Sequence, residues 1–416
     1  MAKSSWQRLL SRRKYLILSL GSFGAVGAFF FSKSNLDLDV SSVVDLEESV
    51  SESGTPASDI ALAKQSPKRT ASKPISQTPL KQRAKLKGLI YGALPQADEK
   101  AFARDRQFQS ILIRECGLIV AGFYWHDLRP SPDSFDFAVP DYFAKFAAQH
   151  KMLLRGHPLV WHMALPQWFA TTVNRENAKQ LLSNHIQTVV GRYRGRMHSW
   201  DVVNEAFNLE DGRADGLRKT PWLEFLGSDY IELAFRMAAK ADPKALLVYN
   251  DYGLEGDDSA SEAKRRAVLT LLKRLKSRGT PIHALGIQSH LSPGQEKFNP
   301  AKFRQFLREV GSLGLKVIIS ELDVVDKYLP GDIKTRDRLI AKAYQDYLTA
   351  ALAEKSVIAV INWGLTDRHT WLSDPIFEFA RRSDGLAVRP LPFDRNFKPK
   401  LAWYAIARAL DKAPKR

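Results

Sequence analysis

The segment His198-Ser199-Trp200-Asp201-Val202-Val203-Asn204-Glu205-Ala206-Phe207 reads as a short, mostly apolar β-run that stops abruptly at Asn-Glu. An amide and a carboxylate therefore stand where a strand opens into a loop. Lys316-Val317-Ile318-Ile319-Ser320-Glu321-Leu322-Asp323 has the same form, apolar until its acidic end. Two carboxylates at strand ends are what glycosidic cleavage requires. One must be protonated and donate to the leaving oxygen, while the other must be ionised and attack the sugar or activate a water.

Comparable apolar runs recur on both sides of these two, at 88–94, 116–123, 151–159, 246–252, 284–291 and 358–365. Between them lie amphipathic segments such as 177–193, 230–240, 260–276, 300–313 and 333–352. Strands alternating with helices over roughly 330 residues predict an α/β fold, a (β/α)8 TIM barrel forming one domain from 88 to 416. The rival, a doubly wound open sheet, favours a Gly-rich phosphate loop after its first strand. Residues 88–96 carry no G-x-G-x-x-G.

Polar residues collect at the C-terminal ends of the runs, which in a barrel ring the mouth. Strand three ends in Arg155-Gly156-His157-Pro158-Leu159-Val160-Trp161-His162, strand four in Asn204-Glu205, and strand five in Asn250-Asp251-Tyr252. Strand six ends in Gln288-Ser289-His290, strand seven in Glu321-Leu322-Asp323, and strand eight in Trp363-Gly364-Leu365-Thr366-Asp367. A sugar offers hydroxyls and an apolar ring face. Asn204, Gln288, His157 and His290 suit the hydroxyls, and Trp363 and Trp161 suit the face. A metal site is the other use for His, Asp and Glu, but no H-E-x-x-H or similarly close ligand spacing appears. Neither metal nor cofactor is expected.

These motifs together, with Trp200-Asp201-Val202-Val203-Asn204-Glu205-Ala206, Gly286-Ile287-Gln288-Ser289-His290 and Trp371, resemble glycoside hydrolase family 10, the endo-1,4-β-xylanase family. The resemblance spans residues 88 to 412 or so, nearly the whole expected barrel. It implies that Glu205 is the general acid/base and Glu321 the nucleophile of a double displacement that retains configuration. It also implies that Asn204 bonds the 2-hydroxyl of the attacked sugar, and that His157, Trp161 and Gln288 are further contacts around that sugar. Trp363 and Trp371 resemble an aromatic wall, and His290 resembles a histidine that holds the nucleophile ionised. Tyr252 is a further candidate contact; for it and Trp371, core packing is a close second reading. Asp251, Asp323 and Asp367 are expected to orient their neighbours.

The pattern breaks in one place. After strand two the family carries a Glu-Asn-x-Met-Lys-type run that binds sugar on the non-reducing side of the cleavage point. Here Val120-Ala121-Gly122-Phe123-Tyr124-Trp125 stands in its place, without the charged and amide groups. That subsite must be built differently, from Tyr124, Trp125 or His126, or accept another chain. Hydrolysis of xylan is the expected activity. A different or acidic, substituted β-glycan is the alternative substrate. A non-catalytic cell-surface carbohydrate-binding protein is the alternative from another class, and its expected signature, loss of a carboxylate, is not seen.

The 44% hydrophobic and 10% aromatic content of the 416 residues is enough for a large core, and the single cysteine, Cys116, excludes an internal disulfide framework. The net charge of +17 comes from basic residues scattered through helical segments such as Lys264-Arg265-Arg266, so no nucleic-acid partner is expected. Residues 1–34 join a basic start, Arg12-Arg13, to an apolar run over 15–31. This is the pattern of a twin-arginine-like export signal or a membrane anchor. Residues 35–87, rich in Ser, Pro, Asp, Glu and Lys, are expected to be a disordered linker. The protein is thus expected to be exported, periplasmic or extracellular, with a membrane tether through 15–31 as one form. A polysaccharide is the expected partner, and since no interface signal stands out, a monomer is expected.

Overall fold

Among the described residues the barrel strands are buried on both faces along nearly their whole length, which is why the strand sequences run largely apolar without alternating. The structure, a computed structural model, describes residues 76–97 and 99–416. The expected export or anchor segment, and residues 35–75 of the expected linker, lie outside the described residues.

Among the described residues eight parallel strands close into a barrel. They are β1 (Ile90–Ala93), β2 (Leu118–Gly122), β3 (Leu153–His157), β4 (Ser199–Asn204), β5 (Leu246–Asp251), β6 (Ala284–Ile287), β7 (Lys316–Val324) and β8 (Val357–Asn362). Closure is made by β8 against β1, in register from Ile90 opposite Ala359 to Ala93 opposite Asn362. A two-residue strand, His290–Leu291, pairs in parallel with the end of β7 and sets His290 opposite Asp323. One long helix follows each strand in turn: Arg106–Glu115, Ala138–Gln149, Ala178–Arg192, Tyr230–Ala241, Ser259–Ser277, Pro300–Ser312, Ile333–Leu352 and Leu401–Lys412. This is the (β/α)8 TIM barrel expected from the strand spacing.

Inside the barrel Leu118, Val120, Val248, Ala284, Ile318, Ala359 and Ile361 form one cluster. Their strand neighbours, among them Ile119, Leu247, Leu285, Val317 and Val360, pack outward against the helices. Gly156 shows how tightly the outer layer is filled. A Cβ there would stand 2.1 Å from Trp200 Cζ3, so a glycine on β3 makes room for the β4 indole, which meets Phe123 edge-on at 4.7 Å.

The expected boundary at residue 88 is corrected. Residues 76–87 belong to the folded body, and Leu80–Leu86 is a helix with Leu80, Arg83 and Ala84 buried. Leu80 N–H donates to Glu115 Oε2 at 2.9 Å, and Arg83 pairs with Asp411 on the last helix. Its apolar stripe is a single i, i+4 pair among basic residues, too short to register as a periodic signal.

Candidate active site

The chain reverses sharply just after β4, and Glu205 sits there with φ at +56°, a left-handed conformation that a non-glycine residue adopts at a cost. Three bonds hold this turn. Glu205 N–H donates to Asn250 O at 2.9 Å, Arg218 N–H donates to Ala206 O at 2.7 Å, and Arg218 Nε donates to Glu205 O at 3.0 Å. The backbone strain aims the Glu205 side chain into the barrel mouth, where it is buried. Its Oε2 accepts from Trp161 Nε1 at 2.9 Å, and its Oε1 accepts from Gln288 Nε2 at 3.0 Å and Asn204 Nδ2 at 3.2 Å. Burial pushes the Glu205 pKa up, and the Gln288 and Trp161 bonds oppose this without cancelling it.

Glu321, on β7, is equally buried but shifts the other way. Burial raises its pKa, yet the nearby His157 charge, the His290 contact and the Asn250 bond outweigh that and hold it below the usual glutamate value. Asn250 Nδ2 donates to Glu321 Oε1 at 2.7 Å, His290 Nε2 lies 3.5 Å from Oε2, and His157 Nδ1 lies 3.8 Å from Oε1.

Each histidine is backed by an aspartate. His157 Nδ1 lies 2.9 Å from Asp201 Oδ2, and Asp201 is paired in turn with the buried Arg155. His290 Nδ1 lies 2.8 Å from Asp323 Oδ1, whose Oδ2 accepts from Trp371 Nε1 at 2.7 Å. Burial lowers both histidine pKa values, but the carboxylates around them dominate and both end raised. Both imidazoles are therefore biased towards their charged form beside Glu321, and that charge favours ionised Glu321.

The two glutamates are linked through amides. Asn204 donates to Glu205, its Oδ1 accepts from Asn250 Nδ2 at 2.9 Å, and the same Asn250 nitrogen donates to Glu321. A buried proton donor and a buried carboxylate joined this way can carry out acid-assisted nucleophilic displacement.

Of the residues singled out in the sequence, Glu205, Glu321, His157, Trp161, Asn204, Gln288 and His290 are brought together in this network. Trp363 meets His157 edge-on at 5.0 Å, and Trp371 meets His290 at 5.3 Å, so both border it. Tyr252 stands to the side. Lys264 Nζ lies 3.6 Å from its ring centre and Arg218 Nη2 donates to its hydroxyl at 2.8 Å, so one ring face is occupied by a cation. Asp251 does orient a neighbour, pairing with Lys264 at 2.7 Å.

Sequence reasoning did not single out the roles of Asn250, Asp201 and Arg218. The first two stand on strands whose ends were already identified, Asp201 on β4 and Asn250 on β5, but the register shift between Asp201 and Val203 spoils a simple alternation count. Arg218 carries no such signal, since it lies in a loop.

Residues 79–409 match the family model of Glycosyl hydrolase family 10. The chain belongs to this family. Within it, the beta-1,4-xylanase of Dictyoglomus thermophilum is 35% identical over 293 residues, covering 68% of this chain and 78% of that protein. Endo-1,4-beta-xylanase C of Paenibacillus barcinonensis is 34% identical over 352 residues, covering 78% of this chain and 31% of that protein, so the chain spans about a third of that relative's length. Xylanase 10B from Thermotoga petrophila, solved in complex with xylobiose, superposes with a TM-score of 0.72 at 30% identity, covering 81% of this chain and 98% of that one. The family 10 barrel is therefore present essentially whole. Val120 and Ala121 are packed into the core, Trp125 Nε1 donates to Leu159 O at 2.7 Å with its ring stacked on His185, and Tyr124 is the side chain that reaches the catalytic network.

Proposed function

We propose that this family 10 glycoside hydrolase is a retaining endo-1,4-β-xylanase. The observation that carries the reading is the opposed shift of two buried carboxylates: Glu205 raised and Glu321 lowered, joined by Asn204 and Asn250. Groups whose environments push their pKa values apart divide into acid and nucleophile.

In the first step Glu321 attacks the anomeric carbon, the glycosidic C–O bond breaks, and the Glu205 proton passes to the leaving oxygen. The sugar is then esterified to Glu321. In the second step a water attacks the same carbon, its proton goes to Glu205, and Glu321 leaves as a carboxylate. In this reading Asn204 bonds the 2-hydroxyl, a contact that strengthens as positive charge develops on the ring. Trp161 and Gln288 hold the acid in position, His157 and His290 hold the nucleophile charged, and Trp363 and Trp371 border the sugar. Relatives named as xylanases, one of them solved with xylobiose, support xylan as the polymer.

The test is product analysis of the full chain on plain xylan, glucuronic-acid-substituted xylan, mixed-linkage glucan and carboxymethylcellulose, with Glu321→Ala as control. Short xylo-oligomers from wild type and none from the variant are expected. Cleavage of another polymer but of no xylan overturns the substrate and keeps the mechanism. Binding without any cleavage overturns the enzymatic reading in favour of a carbohydrate-binding protein.

We also propose export, supported by Arg12-Arg13 ahead of the apolar run 15–31, and that the exported protein is a monomer. Replacing both arginines by lysine should leave the protein in the cytoplasm on fractionation, and the exported form should sediment as a single chain.

A further inference from the structure

Tyr124 directly follows Gly122 and Phe123 at the end of β2, and its ring folds back over the glycine. A Cβ on Gly122 would stand 2.9 Å from Tyr124 Cε2. The ring is wedged among three others: edge-on to His157 at 5.8 Å, tilted against Trp161 at 6.0 Å and stacked near His126 at 6.0 Å. His157 stands beside Glu321 and Trp161 is bonded to Glu205, so Tyr124 borders both halves of the catalytic pair.

The hydroxyl is uncommitted. Around it Trp161 Nε1, Gln288 Nε2, Asn204, Asn250, His157 Nδ1 and both nitrogens of His290 are engaged with other groups. Trp125 Nε1 is bonded to Leu159 O, and His126 lies against Ala164 O and Asp127. Val120 and Ala121 are apolar and buried. The Tyr124 hydroxyl alone among residues 120–126 makes no hydrogen bond to a described residue, and it is not among the buried orphan atoms, so it opens into the cleft. Burial, with the charges of Glu321, Asp127 and Glu205, drives its pKa far up, so it stays a proton donor at any working pH. A side chain that only filled space here would be better as phenylalanine, which brings the same ring without a polar atom to desolvate.

We propose that Tyr124 is a specificity-determining residue of this enzyme: its ring walls the non-reducing side of the cleavage point, and its hydroxyl donates to the sugar next to the one under attack. The assignment rests on the xylanase reading. One neutral donor and a ring face replace the carboxylate, amide and ammonium that the resemblance led one to expect. The neighbouring sugar is then held by one uncharged hydrogen bond and ring contact, which makes fewer demands on its substituents than a set of charged groups does.

The test compares the full-length wild type with Tyr124→Phe and Tyr124→Ala on p-nitrophenyl β-xyloside, which fills only the attacked-sugar position, and on p-nitrophenyl β-xylobioside, which adds the neighbour. Tyr124→Phe keeps every ring contact and should fold as wild type, whether or not the alanine variant does. It is expected to lower kcat/KM on the xylobioside about three- to tenfold, mostly through KM, while the xyloside changes less than about twofold. Unchanged kinetics on the xylobioside, or an equal fall on both substrates, overturns the assignment. Wild type that releases nothing from xylan overturns the xylanase reading and this assignment with it. Wild type that cleaves xylan while Tyr124→Phe is unaltered on the xylobioside overturns the assignment alone.

Discussion

Gly286 lies directly against Asn250: a Cβ on Gly286 would stand 2.1 Å from Asn250 Oδ1. That amide donates to Glu321 Oε1 at 2.7 Å while its oxygen accepts from Ser320 Oγ at 2.6 Å. A bare backbone on β6 thus makes room for the group that fixes the nucleophile on β7. Gly286→Ala should force the Asn250 side chain aside and misplace Glu321. We expect kcat on xylan to fall by roughly ten- to hundredfold with the fold retained. Steady-state kinetics alongside circular dichroism checks this; wild-type kcat in the variant would mean that Asn250 accommodates the methyl group without moving Glu321.

The alkaline limb of the pH–rate profile reports loss of the Glu205 proton, because the acid must be protonated to donate. Burial raises that pKa, while the bonds from Gln288 and Trp161 favour the ionised form and hold it down. Removing a donor therefore raises it further. Trp161→Phe should lower kcat and move the alkaline limb to higher pH. A limb that moves down would assign it to another group.

The acid limb belongs to Glu321, which must be ionised to attack. Its pKa lies below the usual value because the charged His157 and the His290 contact overcome burial. His290→Gln removes one of those charges, so the Glu321 pKa should rise and the acid limb move to higher pH. Asp323→Asn should shift it the same way by less, since Asp323 acts through His290, 2.8 Å away. The kcat profile between pH values of about 3 and 6 measures both.

Arg218 touches the acid through its backbone. Its Nε donates to Glu205 O at 3.0 Å, on the residue held at φ +56°. Its charge also favours ionised Glu205. Arg218→Met should loosen this turn, lowering kcat by about tenfold or more, and should move the alkaline limb upward. Arg218→Lys, which keeps the charge but not the planar fork, is expected to restore the pH profile more fully than kcat.

The barrel was legible because its strands are buried on both faces. Runs such as Val357–Asn362 are apolar until their last residue, and Val317, Ile318 and Ile319 give way to acidic residues where the chain nears the mouth, so strand and site are marked together. The helix Leu80–Leu86 was not legible, since it is held by Glu115 and Asp411, whose proximity no local pattern announces.

By itself, the sequence determined the alternation of strands and helices, the standing of Glu205 and Glu321 at the ends of apolar runs, and the run Val120-Ala121-Gly122-Phe123 that carries no charged or amide group at the end of β2. These depend on residue type and on nearest-neighbour order, which a linear chain displays. Only the tertiary structure decided that Asn250 links the two glutamates, that Arg218 holds the Glu205 turn, that Lys264 covers a face of Tyr252, and that the Tyr124 ring stands against His157 and Trp161. Asn250 and Glu321 are 71 residues apart. Contacts of that separation exist only once closure of the barrel has brought the strand ends to one face, where burial and neighbouring charge then set which carboxylate keeps its proton.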